Sequence, residues 1–308
     1  MAKMTSIGGQ ALIEGVMMRG PKKTAMAVRN TSGEIVEEVY DTVGGNRPKF
    51  CKLPFIRGIF NMYDSLRFGY KCLMRSAELS GLDEEEDKKK AGKAPGKWDR
   101  FFDKMLMPVA TVLAVILALG LFMYLPMKLW QWITAGSTVA DNYALRACFE
   151  GVLRIVVFIA YVWLTSLMKD IRRTYMYHGA EHKTIFCYEA DLPLTVGNVR
   201  IQKREHPRCG TSFLMLVLIV GIVISMFIHI SFLPLRMLVK LLTFPVVIGV
   251  GYELIKLAGR KNNVFTRIIS APGLALQHLT TREPDDGMIE CAIAAMKHAI
   301  PDDDSDRW

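Results

Sequence analysis

The first twenty residues hold no apolar run of the length a cleavable signal peptide requires, so the first membrane-crossing segment of this chain would itself act as the targeting signal. A phosphate-binding fingerprint is also missing. The glycines of GGQALIEGVMMRGP, Gly8–Pro21, lack the Walker and dinucleotide spacings, which sets nucleotide-binding chemistry aside. No internal repeat and no paired interrupted helices are evident, which argues against a transporter. Cysteine is scarce, at 6 in 308 residues. Cys51, Cys72, Cys187, Cys209 and Cys291 all lie where the charge pattern places the cytoplasm, a reducing compartment, so a disulfide framework is not expected. DEEEDKKKAGKAPGK, Asp83–Lys97, has no apolar residue larger than alanine or proline; it cannot bury a core and reads as a solvated linker.

Apolar residues, by contrast, make up 51% of the chain, and they are unevenly spread. Met105–Met127 carries no charge over a length that exceeds the ~20 residues a helix needs to cross a bilayer. Pro108 falls in its first turn, where proline is tolerated. Ala147–Met168 is apolar apart from Glu150 and Arg154, which stand one helical turn apart and can pair with each other. Thr211–Leu235 carries only His229. Met237–Ile255 is the weakest span, because Lys240 and Glu253 lie within it, and a re-entrant arm is its alternative. Lys256, beside Glu253, can snorkel.

The loop after the first span has only Lys128 and Arg146 as basic residues, whereas Lys169–Arg208 and the chain after the last span are rich in both types. This asymmetry predicts a multi-pass protein of the cell membrane with both termini and the middle loop in the cytoplasm. The net charge of +9 suits a face resting on membrane lipids with anionic headgroups, or equally one that meets RNA. The expected fold is a mainly α polytopic membrane protein of about four transmembrane helices, with a small α+β cytoplasmic N-terminal module. Residues 1–80 form that module, 81–100 the charged linker, 101–260 the transmembrane domain with its middle loop 169–210, and 261–308 a cytoplasmic helical segment with an acidic tail.

Within the module, Thr24–Arg29 and Glu34–Tyr40 alternate as strands about an Asn30–Gly33 turn. Phe55–Leu79 reads as an amphipathic helix with Phe55, Ile59, Met62, Leu66 and Tyr70 on one stripe, lying along a membrane surface or packed on the hairpin. After Pro284, a helix with Ile289, Ile293, Met296 and Ile300 on one face is expected, then a disordered tail from Asp302 to Asp306.

Four stretches carry chemistry-bearing residues. YHGAEHKTIF, Tyr177–Phe186, places His178, Glu181 and His182 on one helix face, the inverted zincin order in which two imidazoles hold a metal and the carboxylate activates water. Inverzincins complete the site with a glutamate well downstream. Glu253 is the carboxylate at that separation, but it lies inside a span and is not a convincing ligand. His206-Pro207-Arg208-Cys209 is better placed, since the ends of neighbouring antiparallel helices would bring His206 or Cys209 to the pair. Such a set suits a divalent metal, zinc first, with one open position. Cys209, at a helix start and flanked by Arg204 and Arg208, is also a conceivable nucleophile, with simple packing as the blander reading. In Gly8–Pro21, Glu14 is a candidate further ligand and Arg19 a candidate anion contact. In Pro272–Glu290, Thr280 and Glu283 have the spacing of a capping box.

Together GGQALIEGVMMRGP, YHGAEHKTIFCYE, HPRCGTSF and PGLALQHLTTREPDD resemble, in order, the hallmarks of the bacterial YqhQ-like membrane proteins, a family of unknown function described as predicted metal-dependent enzymes. The resemblance covers nearly the whole chain outside the linker and tail, and implies a metal at the histidines. The expected function is a membrane-embedded metal-dependent enzyme, a hydrolase with Glu181 as general base. The alternative is a non-enzymatic adaptor whose basic face docks a cytoplasmic protein or ribonucleoprotein partner, such as the ribosome or the secretion machinery.

Overall fold

The computed structural model describes residues 4–42, 47–81, 97–260 and 263–307, and these divide into two compact units. The first gathers Met1–Asp83, Val162–Leu216 and Ile248–Trp308; the second gathers Glu84–Tyr161 and Val217–Val247. The expected linker lies mostly outside the described residues, and from Lys97 onward the chain is helical.

The first unit opens with an antiparallel meander of β1 (Gly8–Leu12), β2 (Gly15–Arg19), β3 (Lys23–Arg29) and β4 (Ile35–Asp41), paired in sequence order. The expected hairpin is β3–β4, turning through Gly33 at φ 84°. Gly8–Pro21 forms a second hairpin, β1–β2, with Glu14 left-handed at φ 51° in its turn. Side chains alternate across both central strands. Val16, Met18 and Ala27 face one core, and Met17, Met26 and Val28 the other. Because both faces are covered, the strands are almost continuously apolar rather than half polar.

One face is covered by α1 (Ile56–Ser80), through Cys72, Phe68, Leu73 and Leu79. The side that α1 buries is built of small residues, Gly58, Gly69, Cys72, Ser76 and Ser80, while Phe55, Leu66 and Tyr70 of the expected stripe are exposed. Small residues let the helix axis come close to its neighbours, which periodicity of large side chains does not reveal.

Two candidate membrane segments come next. The helix α2 (Lys97–Leu119) runs through a wider turn at Gly120–Tyr124 into α3 (Leu125–Ile133), and α4 spans Tyr143–Thr165. Then come α5 (Lys169–Glu189), short α6 (Val196–Arg200), α7 (Gly210–Ser225), α8 (Leu233–Arg260), α9 (Val264–Thr280) and α10 (Asp286–Ala299). By length and composition three helices can cross a membrane, Val109–Ile133, Tyr143–Thr165 and Leu233–Gly259. Only 6% of the most apolar window of the first is buried, so its surface awaits an apolar surrounding.

The last two expected spans are redistributed. The helix begun at Thr211 stops at Ser225, and the weakest expected span belongs to the long α8. Pro234 is the second residue of α8. Inside a helix reaching Leu235 it would remove a backbone hydrogen bond and clash with the preceding turn, whereas at the start of α8 it is harmless. The expected Glu150–Arg154 pair is also corrected. Glu150 meets Lys240 at 2.5 Å and Arg236 at 3.5 Å, and Arg154 donates to the Phe122 carbonyl oxygen at 2.6 Å. Glu253 is held by Arg57, whose Nε lies 2.7 Å away, so it takes no part in a metal site.

The second face of the sheet is covered by α5 and α10, with Tyr177, Ala180 and Ile185 meeting Met288, Ile289, Ala292 and Met296. Asp285, not Thr280, caps α10, accepting from the Met288 N–H at 2.8 Å. The acidic tail is ordered, contrary to its composition. Asp306 is buried and accepts from Thr5 Oγ1 at 2.8 Å and the Tyr188 hydroxyl at 2.9 Å, which offsets the desolvation of its charge.

Candidate metal centre

The helical period of α5 brings His178 and His182 onto one side with ring centroids 4.3 Å apart. Cys209, just before the first turn of α7, completes the group; His178 Nε2 lies 3.2 Å from its Sγ. One donor atom from each of His178, His182 and Cys209 falls within 4.8 Å of the other two. This is a set of two imidazoles and one thiol, the donor chemistry of a zinc site with a fourth position open.

The imidazoles are oriented from outside. His178 Nδ1 donates to the Thr280 carbonyl oxygen at 2.9 Å, and His182 Nδ1 to the Arg204 carbonyl oxygen. Each bond fixes the tautomer and leaves the Nε2 lone pair facing the thiol, the outer arrangement metal-ligating histidines almost always have. Two atoms at the centre, His182 Nε2 and Glu181 Oε2, are buried with no hydrogen-bond partner among the described residues. An unmet buried donor or acceptor costs about 1–3 kcal/mol, so its persistence asks for an explanation, and a cation on the converging donors would supply one for His182 Nε2.

Electrostatics agree. Burial would push the His178 pKa down, but the Cys209 sulfur beside it and Glu181 more than offset this and raise it to about 9. Burial pushes the Cys209 thiol up, yet His178 and His182 bring it well below its ordinary range. The Thr211 N–H also points at this sulfur from 3.4 Å, at the start of α7. The group thus favours a thiolate beside a cation, and a divalent ion can take the proton's place. Burial raises the Glu181 carboxyl, with His182 and His178 acting against it.

His206 is close, its ring 5.7 Å from that of His182, but it does not join the donor set. Its Nδ1 accepts from the Arg208 N–H at 3.3 Å and its Nε2 lies 3.5 Å from Glu189, which also pairs with Arg208. Burial lowers its pKa to about 4, which leaves it neutral. Glu14 also stands apart, 2.5 Å from Arg173 and 3.2 Å from the Tyr177 hydroxyl. Arg19, with its Nη1 3.3 Å from Ser65 Oγ, lines a cavity of about 410 Å³ that also reaches Glu181, His182, Arg208 and Cys209.

The Gly-rich stretch does fold onto the histidine helix. A Cβ at Gly9 would lie 2.8 Å from Glu181 Cγ, so only glycine lets β1 pass over this carboxylate. Three supports have a role at this site that the sequence does not foretell. The Arg204 and Thr280 carbonyls carry no residue-type signature at all. Gln277, fully buried on α9, did leave one, as a lone amide in the apolar run PGLALQHL. Its Oε1 accepts from the His206 N–H at 2.7 Å, and its Nε2 donates to the His206 carbonyl oxygen and to Ser212 Oγ, both at 2.8 Å. Gln277→Leu strands these groups in the core and is expected to destabilise the protein by about 2–4 kcal/mol. A thermal-unfolding midpoint several degrees lower in detergent checks this.

Residues 53–302 match the family described as "Protein of unknown function (DUF1385)", and the chain belongs to that family. It is also similar to "Uncharacterized protein YqhQ" of Bacillus subtilis (strain 168), with 32% identity over 304 residues, 95% of this chain and 92% of that protein. No solved structure matches.

Proposed function

We propose that this member of the DUF1385 family is a multi-pass membrane protein and a metal-dependent hydrolase, with its site on the cytoplasmic face. The observation that carries the reading is the convergence of His178 Nε2, His182 Nε2 and Cys209 Sγ while both Nδ1 atoms are committed to backbone carbonyls. A divalent ion there, zinc before others for this donor set, would supply Lewis acidity. Glu181, one turn from His178 and next to His182 in the sequence, with Oε2 4.0 Å from His178 Nε2, is placed to take a proton from water at that oxygen. Its raised pKa makes it a stronger proton acceptor than an exposed carboxylate. The cavity beside it gives a substrate access. The Lys and Arg distribution supports cytoplasmic termini. An adaptor would need the metal only for structure, and a buried carboxylate oxygen with no hydrogen-bond partner among the described residues, beside a cavity, favours a working site over that alternative.

The test is metal content by mass spectrometry on detergent-purified protein prepared without chelator. The wild type is expected to hold close to one zinc, iron or manganese ion per chain, and the His178→Ala/His182→Ala variant almost none. No metal in either sample would sink the reading. Rapid alkylation of Cys209 in metal-free protein would then point to a Cys–His nucleophile, for which the 3.2 Å contact is already present.

A further inference from the structure

The segment that leads into α1 is pressed against the last turns of α8. The Glu253 carboxylate receives Arg57 Nε at 2.7 Å and the Phe55 N–H at 3.2 Å. A Cβ at Gly249 would lie 2.7 Å from the Phe55 carbonyl oxygen, so glycine is what lets the two backbones meet there. Phe55 itself is left-handed at φ 66°, a conformation a bulky residue keeps only where its surroundings hold it. Gly249 and Glu253 belong to Leu233–Gly259, a helix long and apolar enough to cross a membrane. Glu253 is the first charge after the uncharged run that follows Lys240, and Lys256 comes next. A bilayer crossed by α8 therefore has its surface near Glu253, and Phe55 stands at that height.

What this segment exposes fits that height. Phe50, Leu53 and Phe55 are 59%, 50% and 53% exposed, and Lys49 and Lys52 are exposed among them. Neither lysine has a carboxylate partner among the described residues, whereas Arg57 and Arg47 occupy Glu253 and Asp64. The chain just after α8 shows the same apolar exposure, at Val264, Phe265 and Ile268 on the first turns of α9. Water would leave three large apolar side chains unburied, and an apolar protein surface would leave two ammonium groups uncompensated. A lipid headgroup layer meets both needs, because apolar side chains reach the acyl boundary while lysines stay among the phosphates. We propose that Phe50–Phe55 is a lipid anchor, which inserts Phe50, Leu53 and Phe55 into the headgroup layer beside α8 and sets Lys49 and Lys52 against anionic phospholipid. The anchor rests on the membrane-spanning reading of α8 and is independent of the metal.

The experiment uses the full chain in vesicles of phosphatidylglycerol and phosphatidylcholine, carrying Cys51→Ser and Cys148→Ser because the other four cysteines are buried. A fluorescent label is attached through one added substitution. Leu53→Cys reports on the anchor, and Leu242→Cys on the exposed side of the apolar run of α8. Lys297→Cys, exposed on α10 across the sheet from α1, is the control. Phospholipids with a nitroxide on the acyl chain should quench the labels at Leu53 and Leu242 several-fold more than the label at Lys297. At Leu53, nitroxide phosphatidylglycerol should quench at least about twofold more than nitroxide phosphatidylcholine, and Lys49→Gln/Lys52→Gln should erase that difference while the unfolding midpoint holds. Quenching at Leu53 no greater than at Lys297, or equal from the two lipids, would overturn the anchor; with Leu242 quenched, the membrane-spanning reading would stand. Loss of quenching at Leu242 as well would remove both. Self-quenching between labelled chains at Leu53, in place of quenching by lipid, would overturn the anchor and assign the surface to a second copy of the chain.

Discussion

Glu181→Gln is expected to hold as much metal as the wild type while turning over substrate about 10²–10⁴-fold more slowly, the range typical of a lost general base. The separation of the two readouts comes from the geometry. Glu181 is not among the three residues whose donor atoms converge, so removing its charge leaves the two imidazoles and the thiol in place. Glutamine has nearly the same shape and fits beneath Gly9, where space is short. What it cannot do is take a proton at Oε2, the atom with no hydrogen-bond partner among the described residues. The check is metal content measured beside turnover, on whichever ester, amide or phosphoester the wild type hydrolyses. Metal lost together with the unfolding midpoint would make Glu181 a structural residue and remove the base from the mechanism.

The parts of this site legible in the sequence are those fixed by helix geometry. His178, Glu181 and His182 share a face because the spacing matches 3.6 residues per turn, whatever packs around them. Cys209 and His206 were both candidates for the third ligand, because chain proximity brings both ends together. Only the side-chain environment separates them: Glu189 and Arg208 hold His206, and the His178 imidazole faces Cys209. The long-range pairs were illegible for a related reason. Spacing joins Glu150 to Arg154, but Lys240, ninety residues on, lies within 2.5 Å of the carboxylate. Periodicity also found α1, whereas the side it packs on the sheet was illegible, since Gly58, Gly69 and Ser76 carry no hydrophobic signal. The acidic tail misled in the opposite way, because its composition says nothing of the Thr5 and Tyr188 hydroxyls that receive Asp306.

Gly179 puts the link between backbone and metal site to its most direct test. Alanine is the better helix former by about 0.8–1 kcal/mol, so propensity alone would have Gly179→Ala raise stability. Packing reverses the sign. A Cβ at this position would run into the Arg282 carbonyl oxygen and lie 3.5 Å from Pro284 Cδ. The opposing group is backbone, which cannot swing aside as a side chain does. That strand of chain lies against α5 through the Arg282 N–H, which donates to the Tyr175 carbonyl oxygen at 2.9 Å. Two residues earlier, the Thr280 carbonyl orients His178. Pushing the strand away therefore breaks a backbone bond and frees the imidazole together. Gly179→Ala should lose about 1–3 kcal/mol to overpacking, and metal affinity should fall about 10–100-fold as its outer support is lost. Gly197, on α6, has no atom near enough to meet a Cβ, so Gly197→Ala should be neutral or slightly stabilising with metal affinity unchanged. Unfolding midpoints and metal titrations of the two variants side by side decide the matter. A Gly179→Ala protein that melts higher than the wild type and keeps its metal would show that the Thr280–Pro284 strand does not hold His178 in place.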